Sequence, residues 1–193
     1  MRHVAMLIPT DSDSTPAIDE EKSQIEWDKL NTNYWFYGSG PVHSDISPNQ
    51  IVVANHPDAT NWDFFFTSNS WGIISEKLTE VVRPYCNGMF DFWPCTLNRV
   101  KYFIPRKIGE IDCLDKKLSQ EVRYGENIGY SSFIFLEDKL PKSAMFTVPE
   151  EDQIFATADV ARHILTEKLN GIEIYNAAGS QKTHENIDWD PSW

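Results

Sequence analysis

Two stretches of the chain share one pattern of apolar and polar positions. The first is "GIISEKLTEVVRPYCNGMFDFWP", residues 72–94, and the second is "QIFATADVARHILTEKLNGIEIYN", residues 153–176. Each opens on a short apolar pair, Ile73-Ile74 or Ile154-Phe155, and then offers a hydroxyl residue, Ser75 or Thr157. A hydroxyl there can accept from an orphan N–H of a first helical turn. Leu78, Val81 and Val82 follow at helical spacing in one copy, and Val160, Ile164 and Leu165 in the other. Gly88 or Gly171 closes each helix region, and an alternating stretch follows, Met89–Trp93 or Ile172–Tyr175. Pro84 has no N–H to give and stops or tightens the first helix. Each unit thus reads as strand, short helix, strand. One such unit cannot bury its own apolar face, so the two are expected to share a sheet or to pack on each other.

Between the copies, "VKYFIPRKIGEIDCLD" (100–115) reads as strand, break, strand. Asp112 and Asp115, three apart, look like a capping pair for a helix over "LDKKLSQEVRYG", with Leu114, Leu118 and Val122 on one face. "SSFIFLEDKL" (131–140) and "AMFTV" (144–148) add strands. Upstream, "NYWFYGSG" (33–40) and "IVVA" (51–54) are strand candidates, and "DSDSTPAIDEEKSQ" (11–24) reads as a polar arm. The polar stretch 181–193 carries two tryptophans. The expected architecture is an α+β single domain, 1–193. Its mixed sheet is built from two strand–helix–strand units and a bridging strand/helix segment, with residues 1–50 and 177–193 peripheral.

Composition narrows the function. Hydrophobic residues at 41% and charged residues at 24% are those of a soluble globular chain. A net charge of −12 disfavours nucleic acid or an anionic membrane as partner and favours basic partners, although the same charge also serves plain solubility. Three cysteines, Cys86, Cys95 and Cys113, form neither a CxxC pair nor a zinc-spaced cluster and read as reduced thiols. "MRHVAMLIPT" lacks the long apolar region of a signal peptide, and no run approaches a membrane span. A cytoplasmic protein is expected, with no cofactor.

The stretch with the look of chemistry is "IVVANHPDATNWDFFF", 51–66. A histidine with an aspartate five residues on would suggest an acyltransferase. Position 61 is Asn here, Asp58 comes two residues after His56, and Asp63 comes two residues too late. A general base needs an orienting partner within hydrogen-bond reach, and this spacing supplies no warrant for one. Asn55-His56-Pro57-Asp58 is rich in turn formers, so a structural loop is the favoured reading. The alternative is a small enzyme using His56 with Asp58 or Asp63, with or without a metal. His163 and Glu167 lack the second histidine of a zincin, and no GxSxG or phosphate-cradling glycine loop occurs. Arg83, Arg99, Lys101, Arg106 and Lys107 concentrate positive charge that, in so acidic a chain, is expected to pair with carboxylates.

Taken in order, "WGIISEKLTEVV", "GMFDFWPC", "VKYFIPRKIGEIDCLDKKLS", "FIFLE" and "FTVPEEDQIFATADVARHIL" followed by "LNGIEIYN" resemble the bacterial immunity-protein family of the Myxococcus type. The members of that family sit beside polymorphic toxins of contact-dependent and type VI secretion systems, Rhs toxins among them. The similarity covers roughly residues 60–176, and Ser75, Glu76, Leu78, Asp112, Leu114, Asp115, Ser119 and Gly171 fall on its pattern. "FIPRKIGEI", with Pro105 and Gly109, departs from the Leu-Asn-Val-Leu-Asn usual in the middle strand. The resemblance implies a protein without catalysis of its own that binds and neutralises a cognate toxin in the cytoplasm, such as a nuclease with a basic cleft. On that reading Ser75, Gly88, Asp112, Asp115 and Gly171 maintain the fold. The toxin interface is expected among acids and aromatics outside the repeat cores: Asp58, Trp62, Asp63, Glu150, Glu151 and Asp152.

Overall fold

The computed structural model describes residues 4–9, Lys22, 52–53, 61–66, 72–124 and 127–178. In chain order the elements are β1 (Val4–Pro9), β2 (Val52–Val53), β3 (Phe64–Phe66), β4 (Gly72–Ser75), α1 (Glu76–Val82), β5 (Phe90–Leu97), β6 (Val100–Lys107), β7 (Gln120–Tyr124), β8 (Asn127–Ser132), β9 (Met145–Val148), β10 (Glu151–Thr157), α2 (Ala158–Thr166) and β11 (Ile172–Asn176). The class is α+β, dominated by sheet. The strand candidate 33–40, the arm 11–24 and the stretch 181–193 lie outside the described residues.

Among the described residues the strands form three sheets instead of one mixed sheet: β11-β1-β10-β9, β2-β5-β6-β4-β3, and the ribbon β7-β8. The first is antiparallel throughout, and the second is mixed only through the parallel pair β2–β5. β4 and β5 flank α1 in sequence, yet β6 lies between them, antiparallel to both. β10 and β11 flank α2, and β1 lies between them in the same way. β1 is therefore central in its sheet, and the expectation that residues 1–50 are peripheral fails for Val4–Pro9. Its alternation explains why. Ala5 and Leu7 enter one core, Val4 and Met6 another, so the strand is buried on both faces.

The first core joins the facing sides of the two larger sheets and the apolar sides of α1 and α2, through Leu7, Phe64, Ile74, Leu78, Phe92, Phe103, Val160 and Ile164. The second lies on the far side of β1, β10 and β9, where Cys113, Leu114, Phe133, Phe135 and Leu140 cover Phe146 and Phe155. Phe155 meets Phe133 and Phe135 edge-on at 5.0 and 5.2 Å, a preferred arrangement for aromatic rings.

Local chemistry sets the turns. Asn98 and Arg99 take φ of 50° and 66° between Leu97 and Val100, the two-residue turn whose twist suits a hairpin. β6 runs unbroken through Pro105, and the break falls after Lys107. α1 ends at Val82 and tightens into a 3₁₀ turn over Arg83–Tyr85, where Pro84 cannot continue the α-helical ladder.

The helix expected over 114–125 does not form. The Asp115 carboxylate accepts from the N–H groups of Lys117 and Leu118 and closes a single turn, after which the chain enters β7. Leu114 is buried but Leu118 is 68% exposed, so spacing by four does not mark one buried face here. Ser119 is held instead by Ile134, donating to its carbonyl and accepting from its N–H, and this draws the chain into an extended path. Asp112 caps nothing: it is exposed and pairs with Lys139 at 3.2 Å.

Candidate interaction surface

Asp63 lies immediately before β3, and four hydrogen bonds converge on it. Its carboxylate accepts from the Ser75 hydroxyl at 2.5 Å and from the Asn170 N–H at 2.8 Å. Its own N–H donates to the Asn170 carbonyl at 2.7 Å, and its carbonyl accepts from the Ser75 N–H at 2.9 Å. Ser75 Oγ in turn accepts from the Leu78 N–H at 3.0 Å and caps α1. Asp63 thus fastens the start of α1 to the turn after α2. The charge beside it, added to the larger effect of burial, pushes the Tyr102 phenol up to about 12.

Asp63, one of the expected interface residues, thus has both carboxylate oxygens engaged by groups of the chain itself. His56 and Asp58 lie outside the described residues, and the Asp63 carboxylate is already occupied. Trp62 is half-buried, with its ring 5.9 Å from that of Phe65. It closes over Gly171, where an added Cβ would stand 3.3 Å from Trp62 Cβ and 2.6 Å from the Phe64 carbonyl oxygen.

Glu150 and Glu151, after β9, also make contacts within the chain. The Glu150 side chain is 12% exposed and pairs with Lys116 at 2.6 Å. Its second oxygen is buried with no hydrogen-bond partner. Glu151 accepts from the Tyr130 N–H at 2.7 Å, tying β8 to the start of β10. Asp152 lies within β10, and its side chain is outside the described atoms. Of the six residues expected at an interface, Asp63, Glu150 and Glu151 are therefore committed to contacts within the chain.

Other polar groups organise the surface around the helices, and sequence reasoning missed them. Lys77 donates to the carbonyl of Glu167, the residue that ends α2, at 2.7 Å. A cation there suits the negative end of a helix. Thr157, expected to cap α2, makes no capping bond. It donates to the Asp159 carboxylate at 2.6 Å, and Ser143 donates to the other oxygen of the same carboxylate. Burial opposes the Asp159 charge, but the hydrogen bonds from Ser143, Thr157 and the backbone hold its carboxyl below the usual range. Asp91 gathers Arg106 at 3.2 Å and the Trp93 indole N–H at 2.9 Å, while the Arg106 guanidinium stacks 5.1 Å from the Trp93 ring. Lys101 and Lys107 likewise pair with Glu76 and Glu110.

Cys86, Cys95 and Cys113 are free and buried, and burial pushes each thiol up to about 12, away from the reactive thiolate. An apolar gap of about 20 Å³ between Leu7, Phe64, Ile74, Leu78 and Ile172 is of the order of one water molecule. Among the described residues no group of three His, Cys, Asp or Glu side chains is placed to hold a metal ion, and no helix is long and apolar enough to cross a membrane.

Charge is unevenly spread. Residues 61–178 hold 17 acidic and 13 basic side chains, a net of −4. The 60 residues before them hold nine acidic and three basic, net −6, and the last 15 hold three and one, net −2. No protein-family model matches the chain, and no curated protein matches it.

Proposed function

We propose that this protein binds and neutralises a cognate antibacterial toxin that acts in the cytoplasm. The toxin would be a nuclease or another basic protein, bound stoichiometrically and without catalysis by this chain. The motif resemblance to the Myxococcus-type immunity proteins motivates the reading. The observation that carries it is the location of charge: −8 of the −12 belongs to residues 1–60 and 179–193. Acid-rich stretches before and after a nearly balanced middle of the sequence suit the steering of a basic partner. The carboxylates of the core are largely matched by its own cations. To the contact candidates Asp58, Trp62 and Asp152 we add the sequence cluster Asp11, Asp13, Asp19, Glu20 and Glu21, ahead of Asp63, Glu150 and Glu151, which hold contacts within the chain.

We also read the fold as two copies of one strand–helix–strand unit. The residues that open the helices, Ser75 and Thr157, have φ, ψ of −67°, 162° and −65°, 155°. The closing glycines, Gly88 and Gly171, have φ of 76° and 75°. In each copy a third strand, β6 or β1, is inserted between the two strands of the unit.

The test is association with the toxin-domain product of the adjacent gene, measured over a range of salt. Binding should be stoichiometric, with an on-rate that falls as salt rises, since exposed charges are screened beyond about 8 Å at physiological ionic strength. Changing the five clustered acids to Asn and Gln should slow association by about tenfold and leave dissociation little changed. Association indifferent to salt and to these changes would remove the charge argument. Absence of binding would remove the immunity reading.

A further inference from the structure

The cover of the second core is built from two turns related to each other by a local two-fold. Leu114 and Phe135 face one another in an isolated antiparallel bridge. Across it the Asp115 N–H donates to the Ile134 carbonyl and the Leu136 N–H donates to the Cys113 carbonyl, both at 2.8 Å. Each donor residue then begins a turn. Leu118 and Ser119 donate back to the Asp115 carbonyl at 3.2 and 2.9 Å, and Lys139 and Leu140 donate back to the Leu136 carbonyl at 3.0 and 3.1 Å. The turns match position by position: Lys116 with Glu137, Lys117 with Asp138, Leu118 with Lys139, and the buried Ser119 with the buried Leu140.

The first three matched positions are exposed, and at two of them, Lys116 with Glu137 and Lys117 with Asp138, the charges are opposite. Antiparallel pairing sends the turns to opposite sides of the Leu114–Phe135 bridge. One side of the patch therefore ends in Lys116, Lys117 and Leu118, and the other in Glu137, Asp138 and Lys139. Inversion of charge across a local two-fold makes a surface complementary to itself. A second copy turned about an axis lying in the surface and passing between the turns sets its lysine turn on the acidic turn of the first, twice over. That is the geometry of a closed two-fold interface. It also sets Leu118, the most exposed large apolar residue of those described, against the aliphatic stem of the other copy's Lys139.

We propose that this paired-turn surface is a homodimer contact whose occupant is a second copy of this chain. Exposed ion pairs contribute little each, so the contact is weak and salt-sensitive, with Leu118 as its apolar centre. The proposal is independent of what the toxin is and of whether the immunity reading holds.

The test is sedimentation of the full chain across the micromolar range at low and high salt. Three variants are compared: Lys117→Glu, Asp138→Lys, and the two together. These positions are chosen because Lys116 already holds Glu150 and changing it would disturb the fold. The wild type should show a concentration-dependent dimer that weakens with salt. Each single variant should weaken self-association by about tenfold or more. An equimolar mixture of the two single variants should recover a heterodimer, and the combined variant should recover a homodimer. Thermal melting of each variant should match wild type, which separates a lost contact from a lost fold. A monomer at every concentration, or a dimer indifferent to all three changes, overturns the proposal. So does self-association lost in the single variants and not recovered by mixing or by combination.

Discussion

Ser75 and Asp63 hold each other twice. The Ser75 hydroxyl donates to the Asp63 carboxylate at 2.5 Å, and the Ser75 N–H donates to the Asp63 carbonyl at 2.9 Å. The first bond uses the hydroxyl proton and so turns an Oγ lone pair towards the Leu78 N–H, which it caps at 3.0 Å. Capping by Ser75 therefore depends on Asp63.

From this dependence follows a coupling. Ser75→Ala should destabilise by about 1 kcal/mol, the usual cost of a lost N-cap. Asp63→Ala should cost more, about 2 kcal/mol, because it also leaves the Asn170 N–H without its acceptor. The double variant should fall short of the sum by about 0.5 kcal/mol or more, as contacting residues do. Denaturant titration of the four proteins measures this, and strict additivity would show that the cap and the clasp are independent.

The two glycines that close the helix regions should respond differently to the same change. Both need positive φ, which costs an L-residue roughly 1–2 kcal/mol. An added Cβ at Gly88 meets nothing within 4 Å, so Gly88→Ala should cost only that. At Gly171 the Cβ would stand 2.6 Å from the Phe64 carbonyl oxygen, a backbone atom that cannot swing away. Gly171→Ala should therefore melt lower than Gly88→Ala, and equal melting temperatures would mean that β3 gives way without cost.

What the sequence revealed, and what it hid, divides by distance along the chain. The Ser75 cap, the Pro84 break and the closing glycines rest on contacts three or four residues apart or on backbone preference, and all were legible. The clasp at Asp63 was not, because its partners are 12 and 107 residues away. Glu150 and Glu151 sit in a polar, proline-led run outside the repeat cores, yet Lys116 and the Tyr130 N–H claim them from other elements. The failed helix over 114–125 has the same origin: Leu114, Leu118 and Val122 fit a helical period, but Ser119 and Ile134 exchange hydrogen bonds across the cover. The placing of β6 between β4 and β5, and of β1 between β10 and β11, left no signal in the local pattern, because pairing is decided by the sheet and not by neighbours in sequence.

Thiol chemistry offers a direct check on the packing. Cys86, Cys95 and Cys113 are each no more than 3% exposed, and burial pushes each thiol up to about 12. At mildly alkaline pH the folded protein should leave all three unreactive towards an aromatic disulfide reagent, and denaturant should release all three. Rapid labelling of one cysteine in the native protein would locate a part of the core that opens.

Asp159 should give the stability an acid limb. Although burial opposes its charge, the hydrogen bonds from Ser143, Thr157 and the backbone lower its carboxyl below the ordinary range in the folded state. A group with a depressed folded pKa binds its proton more readily when unfolded. Its contribution is therefore present above the unfolded carboxyl value of about 3.9 and is lost as pH falls through the folded value. Asp159→Asn should lower the melting temperature at neutral pH, and the gap from wild type should narrow as pH drops below about 4, because protonation then silences the carboxylate in the wild type. Ser143→Ala should reproduce part of the neutral-pH loss, since it removes one of the two hydroxyl donors. A gap between wild type and Asp159→Asn that stays constant down to the acid transition would mean that the amide loses packing or geometry, and that the charge on Asp159 contributes nothing to stability.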